Sequence, residues 1–366
     1  MRICIDATPL LLRSAGVKTY IYHWLEHLMK ASEEGTIVAF PGIRRLGPLN
    51  HDGSQLGRLS TAIRVATIVA ANSKIPLVAK LWMPKADLFH ISSQLRAFPK
   101  KMALSATIYD FTAFLVPESH AQANIRAEKH LATTVFKRAK GLIAISQSTR
   151  CDAIRLLGLD PDRIEVIYPG VSEGYFNTVR QRSLRCPRPY VLFVGTIEPR
   201  KNVDLLLDAY SQLRDSVREE YDLVIAGPVG WKSEKTLERL KAPSRSVRYL
   251  GYVPESEMPG LMAGATVLAY PSLYEGFGLP VAEAMACGIP VITSAVSSLP
   301  EVACDGALLV DPHSVGEIRD ALDRVLSSVS LREKLGQSGA ARAQRLFRWP
   351  ICARRSLKFF EKVISN

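Results

Sequence analysis

No long uninterrupted apolar run occurs anywhere in the 366 residues. A membrane-spanning helix needs roughly 20 consecutive apolar residues, so none is expected. Asp6 breaks the N-terminal apolar stretch before a signal-peptide core forms, which leads to the expectation of a cytoplasmic protein. Cysteine is sparse: Cys4, Cys151, Cys186, Cys287, Cys304 and Cys352 form no close pairs and fit no zinc spacing, so mostly structural, reduced thiols are expected. Short-period repeats and low-complexity tracts are missing, which excludes a solenoid. Asp-x-Asp occurs once, as Asp160-Pro161-Asp162 before the strand-like run Ile164 to Tyr168, where it reads as turn chemistry. A divalent ion beside substrate phosphates needs carboxylates at that place, so no metal is expected. The net charge of +12 comes without a nucleic-acid-binding motif, and nucleic acid is not the expected partner.

What is present is an uneven positive charge. Residues 1–170 hold 22 Lys and Arg against 13 Asp and Glu, a balance of +9, and the remainder holds 25 against 22, or +3. Between Arg58 and Lys85, the basic residues Arg64, Lys74 and Lys80 interleave with Ile63, Val65, Ile68, Leu77 and Trp82. Such a segment fits two readings: peripheral contact with an anionic membrane, or an amphipathic helix packed on a sheet with its basic face in water.

The densest stretch is Tyr274-Glu275-Gly276-Phe277-Gly278-Leu279-Pro280-Val281-Ala282-Glu283, running to Cys287-Gly288-Ile289-Pro290. The apolar run Ala265 to Tyr270 reads as a strand that Pro271 stops. Pro280 suits the first turn of a helix, and Gly288 with Pro290 ends it. A strand-loop-helix of this kind, at the carboxyl end of a parallel strand, presents backbone amides where α/β sheets bind phosphates. Glu275 and Glu283 enclose seven residues, one in the loop and one about a turn into the helix, where both can face one pocket. Each carboxylate offers two acceptor oxygens for the vicinal hydroxyls of a ribose or hexose. The guest implied is a nucleotide sugar. A second strand-loop-helix, Phe193-Val194-Gly195-Thr196-Ile197-Glu198-Pro199-Arg200-Lys201-Asn202, opens a helix with Leu205, Leu206 and Leu207. Lys201 there is a mobile cation at a helix start, suited to phosphate.

With these two stretches the chain resembles the retaining glycosyltransferases of family 4, most nearly the bacterial mannosyltransferases of polysaccharide assembly. The resemblance implies an α/β fold of GT-B architecture: two facing Rossmann-like domains with parallel sheets and an interdomain cleft. The first, at 1–170, would bind the acceptor and be rejoined by a C-terminal helix at 350–366, in which Ile351, Leu357, Phe360 and Ile364 are spaced for burial. Residues 171–189, polar and basic with two prolines, are expected to be the linker, and 190–349 the donor domain. The resemblance places Glu275 and Lys201 in catalysis. It places Gly195, Thr196, Arg200, Lys201, Gly276, Phe277, Gly278, Leu279 and Glu283 around the donor, with Tyr252 beside the base and Gly16, after Ser14-Ala15, at the donor phosphates.

The chain departs from the family twice. Thr196 stands where many members carry arginine, with Arg200 a candidate to compensate, and Tyr109 stands where relatives often have histidine. Asp110, at the end of a strand, is the N-terminal catalytic candidate, to orient the acceptor or stabilise positive charge on the sugar; its alternative is a helix cap. His90 and His120 are weaker candidates. The resemblance implies retention, a GDP-mannose donor in preference to UDP-sugars, and a saccharide or lipid-linked acceptor at the inner membrane face. A nucleotide-sugar epimerase of the same architecture and a catalytically silent nucleotide-sugar-binding protein are the alternatives.

Overall fold

The computed structural model describes residues 1–11, 16–43, 46–47, 49, 54, 59, 61–66, 84–92, 95, 102–119, 122–179 and 186–365. The chain divides into two compact units, Met1–Gly170 with Trp349–Asn366, and Val171–Arg348. The helices used below are α1 (Gly16–Ala31), α2 (Glu173–Asn177), α3 (Val203–Ser211), α4 (Leu279–Ala286) and α5 (Trp349–Ser365).

In the first unit the described strands β1 (Ile3–Asp6), β2 (Ile37–Phe40), β3 (Leu88–Ile91), β4 (Ala103–Ile108), β5 (Gly141–Ala144) and β6 (Ile164–Val166) form one parallel sheet in the order β2-β1-β3-β4-β5-β6. Strands such as Ile3-Cys4-Ile5-Asp6 are buried throughout, as a sheet covered on both faces requires. Helix α1 buries Tyr20, Ile21, Trp24, Leu25 and Leu28, a stripe of three- and four-residue spacing. Helix α5 packs on it, and Trp24 Nε1 donates to Ser356 Oγ at 2.9 Å. On the sheet side α5 comes so close that a Cβ on Gly141 would lie 2.4 Å from Val363 Cγ2. Between these two neighbours the buried stripe of α5 is Cys352, Ser356, Phe359, Phe360 and Val363. Of the positions expected from spacing, Phe360 is in it, while Ile351, Leu357 and Ile364 lie at its half-buried edges.

In the second unit β7 (Tyr190–Val194), β8 (Asp222–Ala226), β9 (Val247–Gly251), β10 (Val267–Tyr270), β11 (Val291–Ser294) and β12 (Ala307–Val310) form a parallel sheet in the order β12-β11-β10-β7-β8-β9. The chain lays strands to one side of β7 and then crosses to the other, so the order reverses between β7 and β10, which pair through Val191 and Leu192 with Val267 and Leu268. Such a switch point, at the carboxyl ends of the strands, is where open α/β sheets hold ligands.

The expected linker needs correction. Part of 171–189 is helix α2, with Tyr175 buried, and it belongs to the second unit; Cys186 is buried as well. The arginines and prolines set the composition of this stretch, yet one aromatic side chain, Tyr175, is buried within it. Ser14, Ala15, His120 and the basic segment of residues 58–85, apart from 59, 61–66 and 84–85, lie outside the described residues. Among the described residues no helix is long and apolar enough to cross a membrane.

Candidate active site

Adjacency of β7 and β10 brings the two sequence motifs together at one end of the second sheet. The loop after β7 is fastened to the loop after β8: Gly195 N donates to Ala226 O, Ile197 N to Pro228 O and Gly230 N to Ile197 O, at 2.9 to 3.0 Å. The approach is so tight that a Cβ on Gly227, at φ 153°, would lie 1.8 Å from Gly195 O. A single 3₁₀ turn, Pro199–Lys201, then ends at Asn202, which adopts the left-handed conformation at φ 62°. Asn202 Nδ2 donates to Pro271 O at 3.0 Å and Pro312 O at 2.6 Å, and Leu273 N donates to Arg200 O at 2.9 Å. The two loops are thereby bound into one piece.

At their meeting point is Glu275, 8% exposed. Lys201 Nζ donates to Glu275 Oε1 at 2.6 Å and to the Tyr270 hydroxyl at 2.5 Å, and that hydroxyl donates to Glu275 Oε1 at 2.9 Å. Arg200 Nη1 lies 2.9 Å from the same Oε1 and donates to Tyr274 O at 2.7 Å, while its Nη2 donates to Glu198 Oε1 at 2.6 Å. Burial alone would raise the Glu275 carboxyl, but the Arg200 and Lys201 charges outweigh it and hold the group at about 2. Burial, with Arg200 beside it, pushes the Lys201 ammonium down, and Glu275 opposes that shift. Arg200 thus joins Glu198, Tyr274 and Glu275. Thr196 itself fills a packing position, its Cγ2 standing 2.6 Å from where a Cβ on Gly230 would be.

The loop continues through buried Gly276 and Gly278 to half-buried Leu279. Gly278, left-handed at φ 94°, precedes α4, and Pro280 occupies its first turn. The positive end of α4 thus opens next to the Lys201–Glu275 cluster. Phe277 is buried and meets Phe347 edge-on, with ring centroids 5.3 Å apart. Ser297 Oγ accepts from Glu275 N at 3.0 Å and Ser298 Oγ donates to Glu275 O at 2.9 Å, fixing the loop backbone.

Glu283 has a different neighbourhood. Its half-buried carboxyl is hydrogen-bonded by the Tyr175 hydroxyl and lies near Glu255; burial first, and the Glu255 charge second, raise it to about 8. Glu275 and Glu283 share none of the partners named here, although both belong to one loop-helix unit.

The first-unit candidates are less directly disposed. Asp110 Oδ1 accepts from Thr112 N at 2.9 Å and Thr112 Oγ1 at 2.6 Å, an Asx turn leading into the short helix Thr112–Leu115, whose N-cap position is Phe111. His90 is fully buried, with Nδ1 2.8 Å from Ser105 Oγ and Nε2 2.8 Å from Thr107 Oγ1, and burial lowers it to about 3. It is a neutral core histidine. Gly16 is exposed, and a Cβ there would meet nothing within 4 Å, so no close approach within the described chain demands glycine. Tyr252 is 45% exposed after β9. Asp160 accepts from Asp162 N at 3.0 Å, using the Asp-x-Asp carboxylate in its own turn. Among the described residues no group of three or more His, Cys, Asp and Glu side chains gathers as a metal site would need.

Sequence reasoning missed Tyr270, Tyr175, Asn202, Ser297 and Ser298. Tyr270 had one signal, a phenol ending an apolar strand. Tyr175 had none, because it sat in a stretch whose composition reads as linker.

Comparison with known proteins places the chain. A family described as "Glycosyl transferases group 1" matches residues 177–342, and one described as "Glycosyltransferase Family 4" matches residues 14–174. The O-antigen chain mannosyltransferase B of Escherichia coli is 35% identical over 264 residues, 70% of this chain and 69% of that protein. The serotype-specific mannosyltransferase WbdA of Escherichia coli is 27% identical over 330 residues, 87% of this chain but 40% of that longer protein. Among solved structures, sucrose-phosphate synthase from Thermosynechococcus elongatus matches with a TM-score of 0.76 at 22% identity, covering 100% of this chain and 99% of that one. Anabaena Alr3699/HepE in complex with UDP and glucose matches with a TM-score of 0.70 at 18% identity, covering 99% of each. These likenesses establish the GT-B fold.

Proposed function

Because the chain belongs to the glycosyltransferases of group 1 and family 4, we propose that it moves mannose from GDP-mannose to a saccharide acceptor with retention of anomeric configuration. The observation that carries this reading is the Lys201–Glu275–Tyr270 triangle beside the N-terminus of α4. A cation and a helix end there suit a leaving diphosphate, and an ionised carboxylate suits sugar hydroxyls. The choice of mannose is supported by the 35% identical relative named an O-antigen chain mannosyltransferase. The same name favours a lipid-linked saccharide acceptor in cell-surface polysaccharide synthesis, and with it a peripheral place at the inner membrane face.

In the reaction the bond between the sugar C1 and the diphosphate oxygen breaks, and Lys201 with the start of α4 takes up the charge that develops on the leaving group. The departing oxygen accepts the proton of the acceptor hydroxyl, whose oxygen bonds to C1 on the face just vacated. Glu275 holds hydroxyls of the donor sugar, and Glu283 those of the ribose. No step calls for a divalent ion.

Radiolabelled GDP-mannose incubated with the enzyme and lipid-linked saccharides tests this. Label appearing in the saccharide, and lost in Glu275→Ala, is the expected result. Label entering from UDP-glucose and not from GDP-mannose would overturn the donor assignment. An epimerase would convert the donor with no acceptor present, and a silent binder would do neither.

A further inference from the structure

Tyr270 is the last residue of β10, fully buried, and no motif drew attention to it. Its ring stacks on Phe193 at 5.9 Å between centroids and 24° between planes, and its carbonyl accepts from Thr293 Oγ1 at 2.9 Å. Register pairs it with Thr293 on β11. The ring is thus packed between two neighbouring strands, which sets the place of the hydroxyl at its tip.

Two charged groups meet that point. Lys201 Nζ donates to the hydroxyl at 2.5 Å, and the hydroxyl donates to Glu275 Oε1 at 2.9 Å. Lys201 Nζ also lies 5.0 Å from the centre of the ring face. A lysine stem has four rotatable bonds, and fixing it costs up to about 2 kcal/mol of side-chain entropy. Glu275 is a changeable partner for it, because the proposed donor sugar draws on the same carboxylate. The Tyr270 hydroxyl is the partner that remains. Donors from Lys201, Arg200 and Tyr270 converge on Oε1.

We propose that Tyr270 is a positioning residue of the transfer reaction: its hydroxyl holds the Lys201 ammonium on the diphosphate, whether or not a sugar engages Glu275. This rests on the proposed function, since it needs a diphosphate-bearing donor at Lys201. It adds that the selectivity for a nucleoside diphosphate over the monophosphate depends on an aromatic hydroxyl that touches neither.

Tyr270→Phe keeps the ring, its stacking and its burial, and removes the oxygen alone. The test is calorimetric titration of wild type, Tyr270→Phe, Lys201→Ala and the double variant with GDP and GMP, together with their melting temperatures. Wild type is expected to prefer GDP. Tyr270→Phe is expected to lose on the order of tenfold in GDP affinity with GMP unchanged, and to add nothing once Lys201 is alanine, because partners acting through one contact are not additive. Equal losses for GDP and GMP, or GDP binding as in wild type, would overturn the role of Tyr270 while leaving the proposed function standing. A further loss in the double variant would also overturn it. Wild type that binds neither nucleotide would remove the guanosine donor reading, and the proposal with it.

Discussion

Lys201 Nζ lies 2.6 Å from Glu275 Oε1, although 74 positions separate the two residues in the chain. The contact exists because β7 and β10 are neighbours in the second sheet, so loops from different parts of the sequence end side by side. Arg200 and Tyr270 complete the group.

Breaking that group affects folding as well as turnover. Glu275→Ala removes the acceptor for Lys201, Arg200 and Tyr270 and leaves two half-buried cations side by side. Removing one partner of a buried pair costs roughly 3–5 kcal/mol, reduced here to the extent that Lys201, already pushed down by burial, gives up its proton. Glu275→Ala is expected to lose transfer and melt lower than wild type, whereas Lys201→Ala is expected to lose donor affinity with a smaller change in melting temperature. Calorimetric melting of both variants checks the order.

Glu283 gives the pH dependence a definite sign. Its carboxyl is raised from the ordinary 4.5 to about 8, so across that window the folded protein holds a proton that the unfolded chain has released. Its contribution to stability therefore falls as pH rises from about 4.5 to 8. Glu275, held at about 2, acts oppositely: its contribution is complete above 4.5 and is lost as pH falls from there toward 2. In urea titrations at pH 5, 6, 7 and 8, Glu283→Gln is expected to flatten the decline between pH 5 and 8 relative to wild type. An unchanged slope would remove Glu283 as its source.

Gly227→Ala is expected to destabilise the second unit by about 3 kcal/mol or more, combining backbone strain at φ 153° with a Cβ driven into Gly195 O. The loop that carries Lys201 rests on that contact, so donor binding should fail with it. The urea midpoint and a GDP titration on the same sample measure the two losses.

His90 is expected to stay neutral at pH 5. Both ring nitrogens are held by hydroxyls of β4, and burial lowers its titration to about 3. Nitrogen chemical shifts of the imidazole across pH 4 to 8 would show this as a flat line, whereas titration near the ordinary 6.5 would contradict the core role.

Much of the fold was legible because buried parallel strands read as short apolar runs and because glycine and proline mark their ends: Tyr190–Val194 and Val267–Tyr270 stand out in this way. The glutamates and Lys201 were legible as motif residues. Which atoms they would touch was not, since the switch between β7 and β10 is a property of strand order, and strand order leaves no local trace in composition. Asp110 shows the limit on the other side: a carboxylate at a strand end looks the same in sequence whether it meets a ligand or bonds Thr112. Tyr175 was hidden by the arginines and prolines around it.

The most direct measurement is calorimetric titration of the purified protein with GDP-mannose, UDP-glucose and ADP-glucose, repeated with Lys201→Ala. Micromolar binding of GDP-mannose, on the order of 8 kcal/mol, with weak or no binding of the other two and at least a tenfold loss in Lys201→Ala, is the predicted result. Failure of all three to bind, or binding that the removal of Lys201 leaves untouched, would contradict a donor site built on the Lys201–Glu275 pair.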